Sequence, residues 1–161
     1  MPQALSMKPS EYFHELIEPT LDEFESEPTS IRRAYAASVF TYHFTDAAAA
    51  YLNCKRERIE TDLERLTPAF RLIRAIANMS KHLVLKPEFN KGRPMPKIQD
   101  THIGPAAAFT DGSYWSDGTS WTDSKKVVRI TDDNGKLVDI AWCLREGRLA
   151  IETYLRCPDL Q

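Results

Sequence analysis

Four side chains rich in hydrogen-bond donors share one strip of a predicted helix over residues 68–85: Arg71, Arg74, Asn78 and His82. At about 100° per residue the strip is roughly 80° wide, with Lys81 at its edge. An arginine binds phosphate through two N–H groups, and a histidine exchanges a proton near neutral pH. Asn78 stands one turn before His82 and can fix its tautomer or hold a substrate oxygen. These residue types suit metal-free RNA cleavage, in which one group moves a proton and another stabilises the phosphorane.

The catalytic hypothesis gives each member of the strip a role. His82 is the acid or base, Arg74 clamps the phosphate and Asn78 positions the substrate, while Arg71 and Lys81 bind it. Two other interpretations stay open. The strip can bind a nucleotide or an acidic partner without catalysis, or it can be a solvated or structural helix face.

Other chemistry-bearing pairs predict structure rather than a site. His43 and Asp46 stand at i, i+3 between two apolar helix faces, which favours a structural network between Asp46 and a histidine or an arginine. Glu11 and His14 have the spacing of a di-iron motif, but such sites need two of these motifs, so no metal is predicted. The phosphate-binding and dinucleotide-binding glycine motifs are missing from the sequence, and no cofactor is predicted.

The elements that must position these residues are mostly helices. Apolar periodicity and capping signals predict a mainly α protein with helices at about 11–26, 31–53, 56–66, 68–85 and 140–156. Ser10, Thr67 and Asp139 are the expected N-caps, and Pro19 should kink or restart the first helix. A small antiparallel β-ribbon at about 101–138 precedes the last helix, with Asn134-Gly135 as a hairpin turn. The architecture predicted is a single domain over residues 1–161, an up-and-down four-helix bundle carrying this ribbon.

The second helix is apolar on two faces. One face carries Tyr35 and Tyr42, and the opposite face carries Phe40, Phe44 and Tyr51. Such a helix is either central in the fold or half in a subunit interface. We therefore expect a homodimer formed through this helix.

Composition and charge bound the remaining possibilities. Of the 161 residues 42% are apolar and 27% charged, which is typical of one globular domain. The longest apolar run, Ala47–Leu52, is far below the ~20 residues of a membrane span, so no membrane contact is predicted. The start of the sequence lacks the features of a secretory signal, and three cysteines without C-x-x-C spacing favour a reducing cytoplasm.

Charge is segregated along the chain. Residues 55–97 hold 11 basic and 5 acidic residues, whereas residues 1–54 hold 3 basic and 8 acidic residues. The basic middle can attract RNA or a nucleotide, or it can pack against the acidic first part of the chain.

The run Ala75–His82 resembles the signature region of HEPN domains. That family is a four- or five-helix bundle, usually dimeric, with many metal-independent ribonucleases and some non-catalytic nucleotide-binding or scaffold members. Asn78 and His82 match the polar residue and the histidine of its motif, while Ala77 stands where the motif has arginine and Arg74 is the nearest arginine upstream. The resemblance implies a metal-independent RNase, and the Ala77 departure favours a non-catalytic homodimeric binding module. The chain is also similar to a bacterial family with an Asn-x-x-Lys-His helix, whose activity is not established.

Overall fold

The computed structural model describes residues 7–81, 98–106, 125–132 and 134–158. These residues are mainly helical, with a three-stranded antiparallel sheet before the last helix, as the sequence predicts. The helical segments in chain order are α1 (Pro9–Tyr12), a π-helical turn (Phe13–Ile17), α2 (Glu18–Ser26), α3 (Ile31–Tyr51), α4 (Arg56–Leu66), α5 (Ala69–Lys81) and α6 (Ile140–Leu155). The strands are β1 (Ile98–Pro105), β2 (Lys126–Asp132) and β3 (Leu137–Asp139).

The first helical stretch begins earlier than predicted and stays helical through Pro19, with a π-helical turn just before it. The prediction of Ser10 as N-cap is wrong, since the helix begins at Pro9 and the backbone N–H of Lys8 donates to the Glu11 carboxylate at 3.0 Å. The π-helical turn ends at Ile17, and the α-helix resumes at Glu18 with Pro19 in its first turn. Proline is tolerated in a first turn because the N–H it lacks has no intrahelical partner there.

Helix α3 lies at the centre of the fold. Its N-cap is Ser30, whose hydroxyl accepts the backbone N–H of Arg33 at 3.3 Å. The helix contacts α2, α4, α5, α6 and β1, and Ala34, Phe44 and Ala48 are fully buried. Packing on several sides accounts for the two apolar faces of its sequence.

The last two helices begin at the predicted caps. The Thr67 hydroxyl accepts the backbone N–H of Ala69 at 3.3 Å, and the Asp139 carboxylate accepts that of Ala141 at 2.8 Å. Helix α5 packs closely against α6, where a Cβ added to Gly147 would overlap Ile73 Cδ1. The predicted end of α5 at residue 85 lies outside the described residues.

The sheet has the order β1-β2-β3 and is anchored to the helices. The predicted hairpin turn is confirmed, with Gly135 at a φ of 76°, a left-handed conformation that glycine adopts without strain. Val128 of β2 donates its backbone N–H to the Pro28 carbonyl at 3.0 Å, and the Tyr35 hydroxyl donates to Thr101 at 2.9 Å. The β-ribbon extends further toward the N-terminus than predicted, because β1 begins at Ile98 rather than near residue 101.

Within the described ranges no helix is both long enough and apolar enough to cross a bilayer.

Candidate functional site

The strip predicted on α5 separates into members with different surroundings. Arg71 is 55% exposed, whereas the Arg74 side chain is only 4% exposed. Asn78 is half-buried and Lys81 is the last residue of α5. His82, the predicted acid or base, lies outside the described residues. The structure therefore describes the arginines and the asparagine of the hypothesis but not its histidine.

Arg74 is held by two carboxylates of α4. Its guanidinium lies 3.2 Å from Glu64 Oε1 and 3.5 Å from Glu60 Oε2. Glu60 is 4% exposed and Glu64 12% exposed, so both pairs are largely shielded from water. Arg71 contacts the other oxygen of Glu64, at 3.2 Å from Nε to Oε2. Both arginines of the strip thus bind acidic residues of this same chain.

The Glu60 carboxylate is contacted by hydrogen-bond donors from three different helices. It accepts the Tyr42 hydroxyl of α3 at 2.6 Å, and it lies 3.1 Å from Arg56 Nε of α4 as well as beside Arg74 of α5. A buried carboxylate needs such donors, because an unpaired charge in the interior is strongly unfavourable. Burial, followed by the hydrogen bond to Glu60, raises the pKa of Tyr42 well above its ordinary value, so this hydroxyl stays protonated and donates.

The contacts continue to the surface through Asp46. Arg56 lies 3.4 Å from Asp46 Oδ1, and His43 Nδ1 lies 2.6 Å from Asp46 Oδ2. The predicted structural pairing of His43 with Asp46 is confirmed, and the arginine beside Asp46 comes from α4. We call the connected set the α3–α5 charge network. Its members are Tyr42, His43, Asp46, Arg56, Glu60, Glu64, Arg71 and Arg74.

The network is chemically suited to joining helices. It sets three guanidinium groups against three carboxylates, and Arg74, Glu60 and Glu64 all lie at its buried end. A phosphate brought to Arg74 would meet the negative charge of Glu60 and Glu64 at short range, which is unfavourable at low effective dielectric. Across the ranges that the structure describes, no group of three or more His, Cys, Asp or Glu side chains is arranged to hold a metal ion.

Sequence reasoning missed Glu60 and Glu64 as partners of the strip. The sequence does contain an indication of these partners: Glu60 and Glu64 each directly follow an apolar residue of α4, Ile59 and Leu63. In the structure Ile59 and Leu63 are fully buried, and Glu60 is buried with them. An acidic side chain that adjoins the apolar stripe of a helix indicates a buried ion pair with a neighbouring helix.

Comparisons with protein-family models, with curated proteins and with solved structures gave no match to this chain.

Proposed function

We propose that this protein is a non-catalytic RNA-binding module on a HEPN-like, up-and-down four-helix bundle. The observation that carries its non-catalytic part is the burial of Arg74 between Glu60 and Glu64. In the catalytic hypothesis this arginine stabilises the charge of the phosphorane. In the described structure its charge already balances carboxylates of α4.

Freeing Arg74 for a phosphate would be costly. Removing one partner from a buried ion pair costs about 3–5 kcal/mol, because the remaining charge stays in the interior. A substrate phosphate would have to offset that cost before contributing to catalysis. Arg74 is therefore better suited to holding α4 against α5 than to clamping a substrate.

Cations suited to binding RNA lie on the outer face of α4. Lys55, Arg58 and Arg65 are all exposed; Arg58 and Arg65 lie about 20° apart around the helix, and Lys55 is the N-cap residue just before it. Arg65 lies 3.6 Å from Asp62, but at 76% exposure this pair contributes little. Lys55 and Arg58 form no ion pair with any described residue. We call Lys55, Arg58 and Arg65 the basic face of α4. These side chains can contact the phosphates of an RNA strand without sequence-specific contacts to its bases.

Cleavage and binding are tested separately. Purified wild type and His82→Ala are incubated with single-stranded RNA in EDTA, and we expect no product from either. Cleavage by wild type that His82→Ala abolishes would overturn the non-catalytic assignment and restore the predicted role of His82.

Binding is measured by fluorescence anisotropy with a labelled single-stranded RNA at several salt concentrations. We expect affinity that falls as salt rises, and a weaker salt dependence in Arg58→Gln/Arg65→Gln because two phosphate contacts are lost. The matched control is Lys125→Gln/Arg145→Gln, which also removes two exposed positive charges but lies elsewhere on the surface. Absence of binding by wild type, or equal losses in both double variants, would contradict the proposal.

The homodimer remains part of the proposal, and we place it at a groove beside α3. A groove of about 420 Å³ runs between residues 7–16 and α3. It is lined by Met7, Tyr12 and Leu16, by the small side chains of Ala47 and Ala50, and by the polar side chains of His43 and Asp46. Helix packing favours such small residues where two backbones approach closely. Light scattering on wild type and Ala50→Glu tests the dimer. We expect the mass of a dimer for wild type and that of a monomer for Ala50→Glu. A monomeric wild type would remove the dimer from the proposal.

A further inference from the structure

A second feature, unrelated to the α3–α5 charge network, is a cleft between α2, the first turns of α6 and the strand ends at Ala106 and Lys125. Its volume is about 550 Å³, within the range of small-molecule sites. We call it the α2–α6 cleft. Sequence reasoning gave it no role, because residues 21–28 and residues 106–148 of its walls are at least 78 positions apart in the chain.

Part of the cleft lining is apolar and includes the aromatic side chains of Phe24 and Trp142, while five of the thirteen lining residues are charged. Leu21, Phe24 and Leu144 contribute buried side chains, and Val127 contributes a residue near the start of the central strand β2. Trp142 is half-buried and packs against the core on one side. An indole in this position offers apolar surface and a ring on which another planar ring can stack.

The walls of the cleft are fixed in place by hydrogen bonds. The α2–α3 connection is tied to the sheet by the bond from Val128 N–H to the Pro28 carbonyl at 3.0 Å. The start of α6 is held by Asp139, whose carboxylate accepts the Ala141 N–H at 2.8 Å. A site whose walls are held in this way loses little conformational freedom when a ligand enters.

The three cations of the cleft differ in their partners. Arg148 is 2.8 Å from Glu18 and 2.9 Å from Glu152, so its charge is balanced within the chain. Arg145 and Lys125 are exposed and have no side-chain partner among the described residues. Two positive side chains therefore stand at the cleft with their charge unbalanced by a direct pair.

The charge of the whole cleft limits what it can bind. Besides Lys125 and Arg145, its lining includes the carboxylates of Glu25 and Asp139. A ligand with several negative charges would be repelled by these two carboxylates, whereas one negative charge can be placed against the guanidinium of Arg145. The balance favours a monoanion over a polyphosphate.

We propose that the α2–α6 cleft binds a small planar aromatic carboxylate, with its ring against Trp142 and its carboxylate at Arg145 and Lys125. The proposal does not depend on RNA binding, because the basic face of α4 contributes no residue to the cleft. It assigns a small-molecule site to a chain whose other proposed surface binds a polymer.

The test uses 2-naphthoate as the probe and 2-naphthamide as its uncharged match. By titration calorimetry on the full chain, we expect wild type to bind 2-naphthoate and to bind 2-naphthamide at least about tenfold more weakly, since a charge-assisted bond is lost. Lys125→Gln/Arg145→Gln should lower the 2-naphthoate affinity by about tenfold or more, whereas Arg58→Gln/Arg65→Gln should leave it unchanged. Both double variants alter exposed side chains, so both should fold.

Nuclear magnetic resonance locates the bound probe independently of these variants. The indole N–H signal of Trp142 is assigned as the one that disappears in Trp142→Phe. On adding 2-naphthoate we expect the chemical shifts of this signal and of the Arg145 backbone amide to change. No binding by wild type, equal affinity for the naphthamide, or shift changes confined to α4 would each overturn the proposal. None of these outcomes bears on RNA binding, which the Arg58→Gln/Arg65→Gln variant tests.

Discussion

The buried end of the α3–α5 charge network and the α2–α6 cleft place arginine in opposite environments. Arg74 is 4% exposed and lies between two carboxylates at 3.2 and 3.5 Å. Arg145 is exposed, lines a cleft of about 550 Å³ and has no ion-pair partner within the described part of the chain. The same side chain is a structural connector in one region and a cation available to a ligand in the other.

The comparison shows that the neighbours of an arginine determine what it can do. A guanidinium already paired in the interior has little free energy to gain from a ligand, because it must first leave its partners. An exposed guanidinium beside a partly apolar cleft gains a partner when an anion binds, and the ring that carries the anion gains apolar contact. The two regions should therefore respond differently to mutation, in stability for the network and in ligand affinity for the cleft.

The largest expected effect is at the buried end of the network. Arg74→Ala leaves Glu60 and Glu64 without their shared guanidinium, and we expect the free energy of unfolding to fall by about 3–5 kcal/mol. Arg71→Ala removes a pair that is 55% exposed at the arginine, and it should cost only about 0–1 kcal/mol. Urea denaturation followed by circular dichroism measures both values.

If Arg74→Ala does not fold, Arg74→Lys provides the measurement. It keeps the positive charge but loses the planar geometry that lets one side chain contact Glu60 and Glu64 together. Its free energy of unfolding should therefore lie between those of wild type and Arg74→Ala. Equal stability of wild type and Arg74→Ala would mean that the buried pairs contribute nothing. The structural role assigned to Arg74 would then be wrong.

A smaller effect is expected where α3 joins the network. Tyr42→Phe removes the hydroxyl that donates to Glu60 at 2.6 Å, and hydrogen bonds to charged groups contribute about 1.5–3 kcal/mol. The matched control is Tyr35→Phe, whose hydroxyl donates at 2.9 Å to the neutral Thr101 and should contribute about 0.5–1.5 kcal/mol. A loss in Tyr42→Phe no greater than in the control would argue against a charged acceptor at Glu60.

Tyr42 also makes the network sensitive to alkaline pH. Burial and the hydrogen bond to Glu60 raise its pKa in the folded chain, and Arg56 and Arg74 face it as well without reversing that direction. The unfolded chain then releases the tyrosine proton at a lower pH than the folded chain, so stability falls as pH rises above about 10. We expect a shallower fall in Tyr42→Phe than in wild type, measured as the free energy of unfolding between pH 9 and 11. Parallel slopes would contradict the prediction.

Much of the fold could be predicted because its determinants are local. Thr67 and Asp139 cap helices through bonds to backbone N–H groups two residues away, and Gly135 occupies the positive φ that its turn requires. Each of these features is read from a few neighbouring residues. The Ser10 prediction failed because Pro9 is itself suited to the first turn, which moved the start of the helix back.

The site could be predicted only in part because its determinants are distant in sequence. A helical wheel placed Arg74 about 100° from the centre of the apolar stripe, at the boundary between core and solvent. Only the position of α4 decides that Glu60 and Glu64 cover this boundary and bury Arg74. The α2–α6 cleft was missed for the same reason, since Leu21 and Arg145 meet through the packing of the first helical stretch on the last.

The smallest expected effect on stability is at the cleft. Arg145→Ala removes an exposed side chain without an ion pair among the described residues, so the free energy of unfolding should change by no more than about 0.5 kcal/mol. Arg148→Ala, three residues further along α6, removes the partner of Glu18 and Glu152 and should cost up to about 1 kcal/mol. Arg145→Ala should lose more affinity for 2-naphthoate than Arg148→Ala does, because no carboxylate forms a direct ion pair with Arg145 among the described residues. Calorimetric titration and urea denaturation of the same two variants measure both quantities. A substantial loss of stability in Arg145→Ala would mean that this arginine, like Arg74, is held within the fold, and the distinction between the two regions would fail.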